Sequence, residues 1–326
     1  MFDVFVTVLI VFGTVVGAGF ASGNEIVVFF TRFGALSYLF IAIAGVMFYF
    51  ALYYLLRKGK VLAEIIENNK FLNVLTIFVS LVFSATMFAG IESLLGYFPI
   101  WLHVILSFLM LISCVYVTMK GMGGIERFNL FLMPFLFFGF MVVLCFLSGI
   151  NSKIIFENGG KFGIWYCVLY VALNTAMNVF VFAKQGQKLN KKQTIYACLF
   201  SVLILEFFLL FANYILLANQ ESFVSEMPIL YISRNNFGIF LLEFIVILIG
   251  CFSTLISLCF TLKLNSKKLI KNDYFSIFLS VFLPYFISCI GFSKIISFLY
   301  PICSIIGIFI ILFSIFFLKQ RNNKIH

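Results

Sequence analysis

Four glycines fall close together in the first apolar run of the chain: Gly13, Gly17, Gly19 and Gly23, within GTVVGAGFASGNE. Each glycine costs a helix interior about 1 kcal/mol relative to alanine, so a helix holding four of them is prone to interruption. Ser22-Gly23-Asn24-Glu25 then has the Ser-x-x-Glu form of a capping box, the signature of a helix beginning. A helix that begins in mid-run implies a break just before it. Interrupted helices bare peptide N–H groups of partial positive charge and C=O groups of partial negative charge. In a membrane such backbone survives only where it is buried in protein or faces a water-filled cavity. A small zwitterion satisfies both ends. Its carboxylate is expected on the N–H groups near Ser22, Gly23 and Asn24, and its ammonium near the carbonyls of Val16 to Gly19. Gly17, Ala18, Gly19, Ser22, Gly23 and Glu25 are therefore candidate substrate contacts. The plainer reading of Gly13 and Gly17 alone is close helix packing.

A second polar interruption, Asn174-Thr175-Ala176-Met177-Asn178, lies about half a chain length further on, with Tyr170 one turn before it. Matching breaks in the two halves of a membrane protein point to a transporter's binding site. Tyr170, Asn174, Thr175 and Asn178 join the candidate wall, although asparagines in membrane helices also serve plain interhelical hydrogen bonding. A carboxylate within hydrocarbon costs about 2.5 to 3.5 kcal/mol even on insertion scales, so intramembrane glutamates need a reason. Glu25 either completes the capping box or touches substrate or coupling ion. Glu206 sits near the centre of its apolar run, and both are candidates for proton coupling. Glu243 is expected to reach an outer vestibule, and Glu92 to be a solvated helix terminus.

These residues need elements to hold them, and the composition says which. Of 326 residues, 63% are hydrophobic and 10% charged, with a mean hydropathy of +1.16. Soluble domains carry about 25% charged residues, so this is the composition of an integral membrane protein. A bilayer-crossing helix needs about 20 apolar residues. Ten such runs occur: 4–30, 36–56, 71–91, 100–119, 128–147, 162–183, 194–218, 237–262, 274–290 and 295–318. The first begins without the Lys or Arg of a signal peptide and continues to Phe30, so it reads as a span. Loops after even-numbered spans, with the C-terminal tail, hold 17 of the 22 Lys and Arg; the opposite loops hold only Arg32, Lys153, Lys161, Arg234 and Lys294. Positive charge stays cytoplasmic. Both termini are therefore expected in the cytoplasm, and the net charge of +10 reports topology rather than a nucleic-acid partner. The expected localisation is the cell membrane, and the lipid bilayer is the expected partner.

Ten spans divide into five and five, and a second set of five enters from the opposite face, which is an inverted-topology repeat. The expected units are residues 1–148, an external linker at 149–161, the second repeat at 162–318 and a cytoplasmic tail at 319–326. The stretch GTVVGAGFASGNEIVVFF resembles the glycine-rich first span of the amino acid–polyamine–cation superfamily, most closely the YkvI-like amino acid permease family. The resemblance implies an all-α LeuT-type fold with spans 1 and 6 discontinuous, working by alternating access on an amino acid or similar small zwitterion. In sodium-coupled members an ion lies between carbonyls of span 1 and a hydroxyl pair on span 8. Placed on this chain, that implies Gly13 and Val16 as carbonyl donors, with Gly250, Ser253 and Thr254 on span 8. Span 5 contains no lysine to stand in for the ion. Sodium is thus the only cofactor-like partner implied.

A membrane enzyme fares badly on inventory. The only histidines are His103 and His326, neither placed to serve Ser22 as a base, and no H-E-x-x-H or intramembrane aspartate pair can be assembled. No catalytic residue or metal-ligand set emerges. The eight cysteines read as small buried hydrophobes, with no C-x-x-C pair among them. A channel remains the rival class, since glycines and hydroxyls also line pores. Residues 60–70 alternate as a short interfacial helix would, and 219–236 reads as an external lid or a plain connector.

Overall fold

A computed structural model describes residues 1–149, 162–269 and 272–323; all but the first residue of the expected linker lies outside the described residues. The first apolar run forms three pieces, α1 (Phe2–Val15), α2 (Ala18–Ala21) and α3 (Asn24–Phe29). Four long helices follow: α4 (Ser37–Asn68), α5 (Lys70–Leu95), α6 (Ile100–Lys120) and α7 (Met122–Ser148). The sixth run forms α8 (Gly163–Met177) and α9 (Val179–Gly186), bent by 65° at Asn178. Then come α10 (Lys191–Ala218), α11 (Pro228–Ser233), α12 (Phe237–Leu269), α13 (Asp273–Ser288), the single turn α14 (Phe292–Lys294) and α15 (Tyr300–Asn323). Among the described residues, six helices are individually long and apolar enough to cross a membrane, or seven with the bent pair. The other three expected spans are occupied by α1 to α3, by α13 and by the helical turn Ile295–Leu299 with α15.

Side-chain contacts sort the loops into two ends. Lys188 after span 6 pairs with Glu126 after span 4, Lys263 donates to Thr118 O at the end of α6, and Asn73 of α5 donates to Asn265 O of α12. The lysine-rich loops therefore share one end. At the other, Arg32 reaches the Tyr166 hydroxyl at 3.4 Å and Arg234 the Tyr97 hydroxyl at 2.7 Å. The alternation inferred from charge is thus met by direct contact across the bundle.

Three sequence expectations change here. Residues 60–68 do not form a separate interfacial helix, because α4 continues unbroken from Ser37 to Asn68. At about 1.5 Å per residue it outruns a roughly 30 Å hydrocarbon core, so its polar end emerges without needing a turn. Residues 319–323, expected as tail, prolong α15. Of the eight cysteines, Cys145 and Cys289 are exposed on the bundle surface while the other six are buried; an apolar run has a lipid face as well as a protein face.

The broken pair is clamped by close backbone contact. A Cβ on Gly186 would lie 2.0 Å from the Leu56 carbonyl oxygen, and one on Gly59 would lie 2.6 Å from Ala183 Cα. Both obstacles are backbone, so α4 and α9 must separate to admit a methyl group. Gly186→Ala is expected to destabilise the protein by about 1 to 3 kcal/mol, the usual cost of overpacking. The check is the melting temperature of purified protein in detergent, and an unchanged melt refutes the tight seam.

Candidate functional site

Span 1 is interrupted twice. α1 ends at Val16 (φ −80°, ψ 79°), and extended Gly17 (φ −100°, ψ −162°) leads into α2. Gly17 N–H turns back to Val15 O, and Ala18 N–H points to Met87 Sδ at 3.4 Å. The second interruption is Gly23, left-handed at φ +83°, a conformation that glycine takes at no steric cost.

The expected capping box is not formed. Ser22 stays right-handed at the end of α2 with its hydroxyl directed to Gly19 O (3.4 Å), Gly23 takes the N-cap position of α3, and no side chain caps there. The N–H groups expected to receive a carboxylate are engaged within the chain: Ser22 N to Ala18 O, Gly23 N to Phe20 O and Asn24 N to Ser22 Oγ. One residue of left-handed glycine lets the turn close on itself, which the glycine count alone could not reveal.

Glu25, freed from capping, folds back over the first break. Its Oε2 lies 2.8 Å from where a Cβ on Gly19 would stand, and its carboxyl interacts with the Asn174 side chain. Asn174 and Asn178 are fully buried in the span 6 bend. Asn174 Nδ2 donates to Tyr170 O (3.1 Å); Asn178 Nδ2 donates to Asn174 O (3.1 Å) and Thr14 O (3.4 Å), tying the two breaks together. Tyr170 stands edge-on to Phe29 and Phe30, with ring centroids 5.6 and 4.9 Å apart. Thr175, like Asn174, bonds back to its own helix, its hydroxyl proton going to Val171 O at 2.7 Å or Ala172 O at 3.2 Å. This is the ordinary use of a membrane threonine.

The five residues assigned to a cation come together. Gly13 lies in the last turn of α1, where carbonyls lack intrahelical partners. Its oxygen receives Ser253 Oγ at 2.9 Å and Thr254 Oγ1 at 3.2 Å from α12. Val16 O lies 2.9 Å from where a Cβ on Gly250 would stand. Asn129 of α7, not singled out above, is almost fully buried with its side-chain oxygen 2.8 Å from Ser253 Oγ, whose one proton goes either to it or to Gly13 O. The readable signal was an amide inside an otherwise apolar fifth span.

The remaining glutamates scatter. Glu206 lies against Gly45 of α4, where any Cβ would overlap its carboxyl, and it lines a small cavity with Val15, Ala44, Phe48, Tyr170 and Asn174. At about 10 Å³ this cavity is close to the least that holds a water. Glu243 does not reach a vestibule: it is 0% exposed and neither carboxyl oxygen has a partner. Glu92 is no free terminus, because His103 Nε2 and Ser107 Oγ of α6 both bind it. Residues 219–236 do cover span 1. Ile229 N–H donates to Ser22 O, and Asn24 Nδ2 to Glu226 O, each at 2.9 Å.

This geometry has relatives. The nucleobase–cation-symport-1 family transporter Mhp1, in a closed conformation with bromovinylhydantoin bound, superposes with a TM-score of 0.57 at 15% identity, covering 93% of this chain and 77% of that one. The fold is LeuT-type. In sequence, the chain is 25% identical over 319 residues to the uncharacterized membrane protein YkvI of Bacillus subtilis (strain 168), covering 89% of each. The YkvI resemblance carried by residues 13–30 thus extends along most of the molecule. No protein-family model matches. The chain is a multi-pass membrane protein whose LeuT-type fold has its two discontinuous spans in contact at Thr14 and Asn178.

Proposed function

We propose that this protein is a secondary transporter that moves an amino acid or similar small zwitterion by alternating access, with sodium as the coupling ion. The observation that carries the reading is the meeting of two interrupted spans around buried Glu25, Asn174 and Asn178. Polar and ionisable groups are costly within a membrane, and a buried carboxyl there is a functional-site hypothesis by default. The solute is held between the break at Gly17–Gly19 and the wall of Tyr170, Asn174 and Asn178. α11 covers it from the lysine-poor end.

Sodium is supported by the donor set. Hard cations take oxygen ligands; Ser253 Oγ and Thr254 Oγ1 meet Gly13 O where α1 stops, and Val16 O faces Gly250 one turn earlier on α12. A second coupling reading uses protons at Glu206, which has no hydrogen bond or ion pair among the described residues and lines the same cavity as Asn174. In either case residues 1–148 and 162–318 act as inverted repeats in the cell membrane, with both termini cytoplasmic, as the 17 to 5 charge split supports.

The test is counterflow in proteoliposomes. Vesicles preloaded with an unlabelled mixture of the common amino acids should accumulate a labelled member of that mixture against its gradient. A channel gives flux without trans-stimulation, and that outcome replaces the carrier reading with the channel.

A further inference from the structure

The unsatisfied atoms at the breaks are all of one kind. Glu25 Oε1, Asn174 Oδ1 and Asn178 Oδ1 are buried without a hydrogen-bond partner. Their orientation is determined, because both amide nitrogens point at backbone carbonyls, which can only accept. Rotating either amide would set oxygen against oxygen, so the surplus of acceptors does not come from an arbitrary amide assignment. Glu206, another carboxyl without an ion pair among the described residues, lines the adjoining cavity with Asn174. Among the described residues no Lys, Arg or His is buried. The three buried atoms without a partner are therefore all acceptors, one carboxyl and two amide oxygens, and no buried cation stands beside them.

We infer that the ligand of this centre is recognised through a primary ammonium group, held by Glu25 with Asn174 and Asn178, and that a ligand carboxylate is dispensable. The inference rests on the transport reading and narrows its substrate class. An alkylammonium has three N–H donors, no acceptor and a positive charge, and so supplies what the unpartnered oxygens lack. Its bond to Glu25 is charge-assisted, the stronger kind. A ligand entering carboxylate-first meets the Glu25 carboxyl beside Gly19. A neutral ring brings its own acceptors against oxygens that can accept but not donate.

Purified full-length protein is tested by thermal shift against three sets of probes. Glycinamide and leucinamide carry an ammonium without a carboxylate, N-acetylglycine and N-acetylleucine carry a carboxylate without an ammonium, and hydantoin and uracil are neutral rings. At least one amide is expected to raise the melting temperature, with the other two sets inert, and Glu25→Gln is expected to weaken amide binding at least tenfold. Asn174→Ala, measured alongside in case Glu25→Gln does not fold, is expected to weaken it at least threefold. An N-acetyl compound or neutral ring binding as well as the amides overturns the inference. So does inertness of all three sets, or amide affinity unchanged within twofold in the folded variants. Binding of amides without counterflow of any solute instead refutes transport and leaves ammonium recognition standing.

Discussion

Gly19→Leu is expected to reduce counterflow to the background of empty vesicles, a loss of at least a hundredfold, while leaving membrane insertion and the overall fold intact. The leucine Cβ would lie 2.8 Å from Glu25 Oε2 and 3.1 Å from Glu25 Cβ. The obstacle is largely the far end of a flexible side chain, so the protein accommodates leucine by expelling the carboxyl from the break. Folding is spared because α2 has only four residues and the bundle packs through longer helices. The site is not spared: the added side chain fills the space beside the first break and displaces the one carboxyl over it. Gly186→Ala is the control, since it strains the seam between α4 and α9 without approaching the break. Counterflow retained in Gly19→Leu would remove the first interruption from the mechanism.

Ser253→Ala combined with Thr254→Ala is expected to raise the sodium concentration needed for half-maximal transport more than tenfold. It should also abolish any sodium-dependent gain in melting temperature. The two hydroxyls are the partners of Gly13 O, at 2.9 and 3.2 Å. Removing both takes two of the oxygens proposed for the cation and leaves a buried helix-end carbonyl without a donor, a cost of about 1 to 3 kcal/mol. A general loss of stability lowers the melt equally in sodium and potassium chloride, whereas loss of a cation site removes the difference between the salts. Ser253→Thr retains a hydroxyl and should keep most of the sodium effect. Unchanged sodium dependence in the double variant, or sodium-independent transport by the unaltered protein, moves the coupling to protons at Glu206 or Glu25.

The glutamates show how chemistry and position part company. Each was conspicuous in the sequence for the same reason, a carboxyl among apolar residues, yet the four have different surroundings. Glu25 turns back onto a glycine of its own span, while Glu206 fits against Gly45 of α4. Glu243 is enclosed without a partner, and Glu92 is tied to His103 and Ser107. Gly45 illustrates the same point from the other side. It stands outside the glycine-rich motif, and its use as a seat for Glu206 becomes visible only when two helices distant in sequence are laid together.

What the sequence by itself determined is everything set by transfer between water and lipid: the apolar runs, the alternation of lysine-rich loops and the two places where helix continuity is weakest. Those quantities are local and nearly additive along the chain, so a one-dimensional reading recovers them, and the motif at 13–30 added the fold. Tertiary structure alone decided which polar atoms meet. That Gly23 adopts the left-handed turn, that Ser22 closes α2 instead of capping α3, and that Asn129 stands behind Ser253 all depend on the register of packed helices. A shift of one residue rotates a side chain by about 100° around its helix, and no periodicity in the chain specifies that angle to the precision of a hydrogen bond.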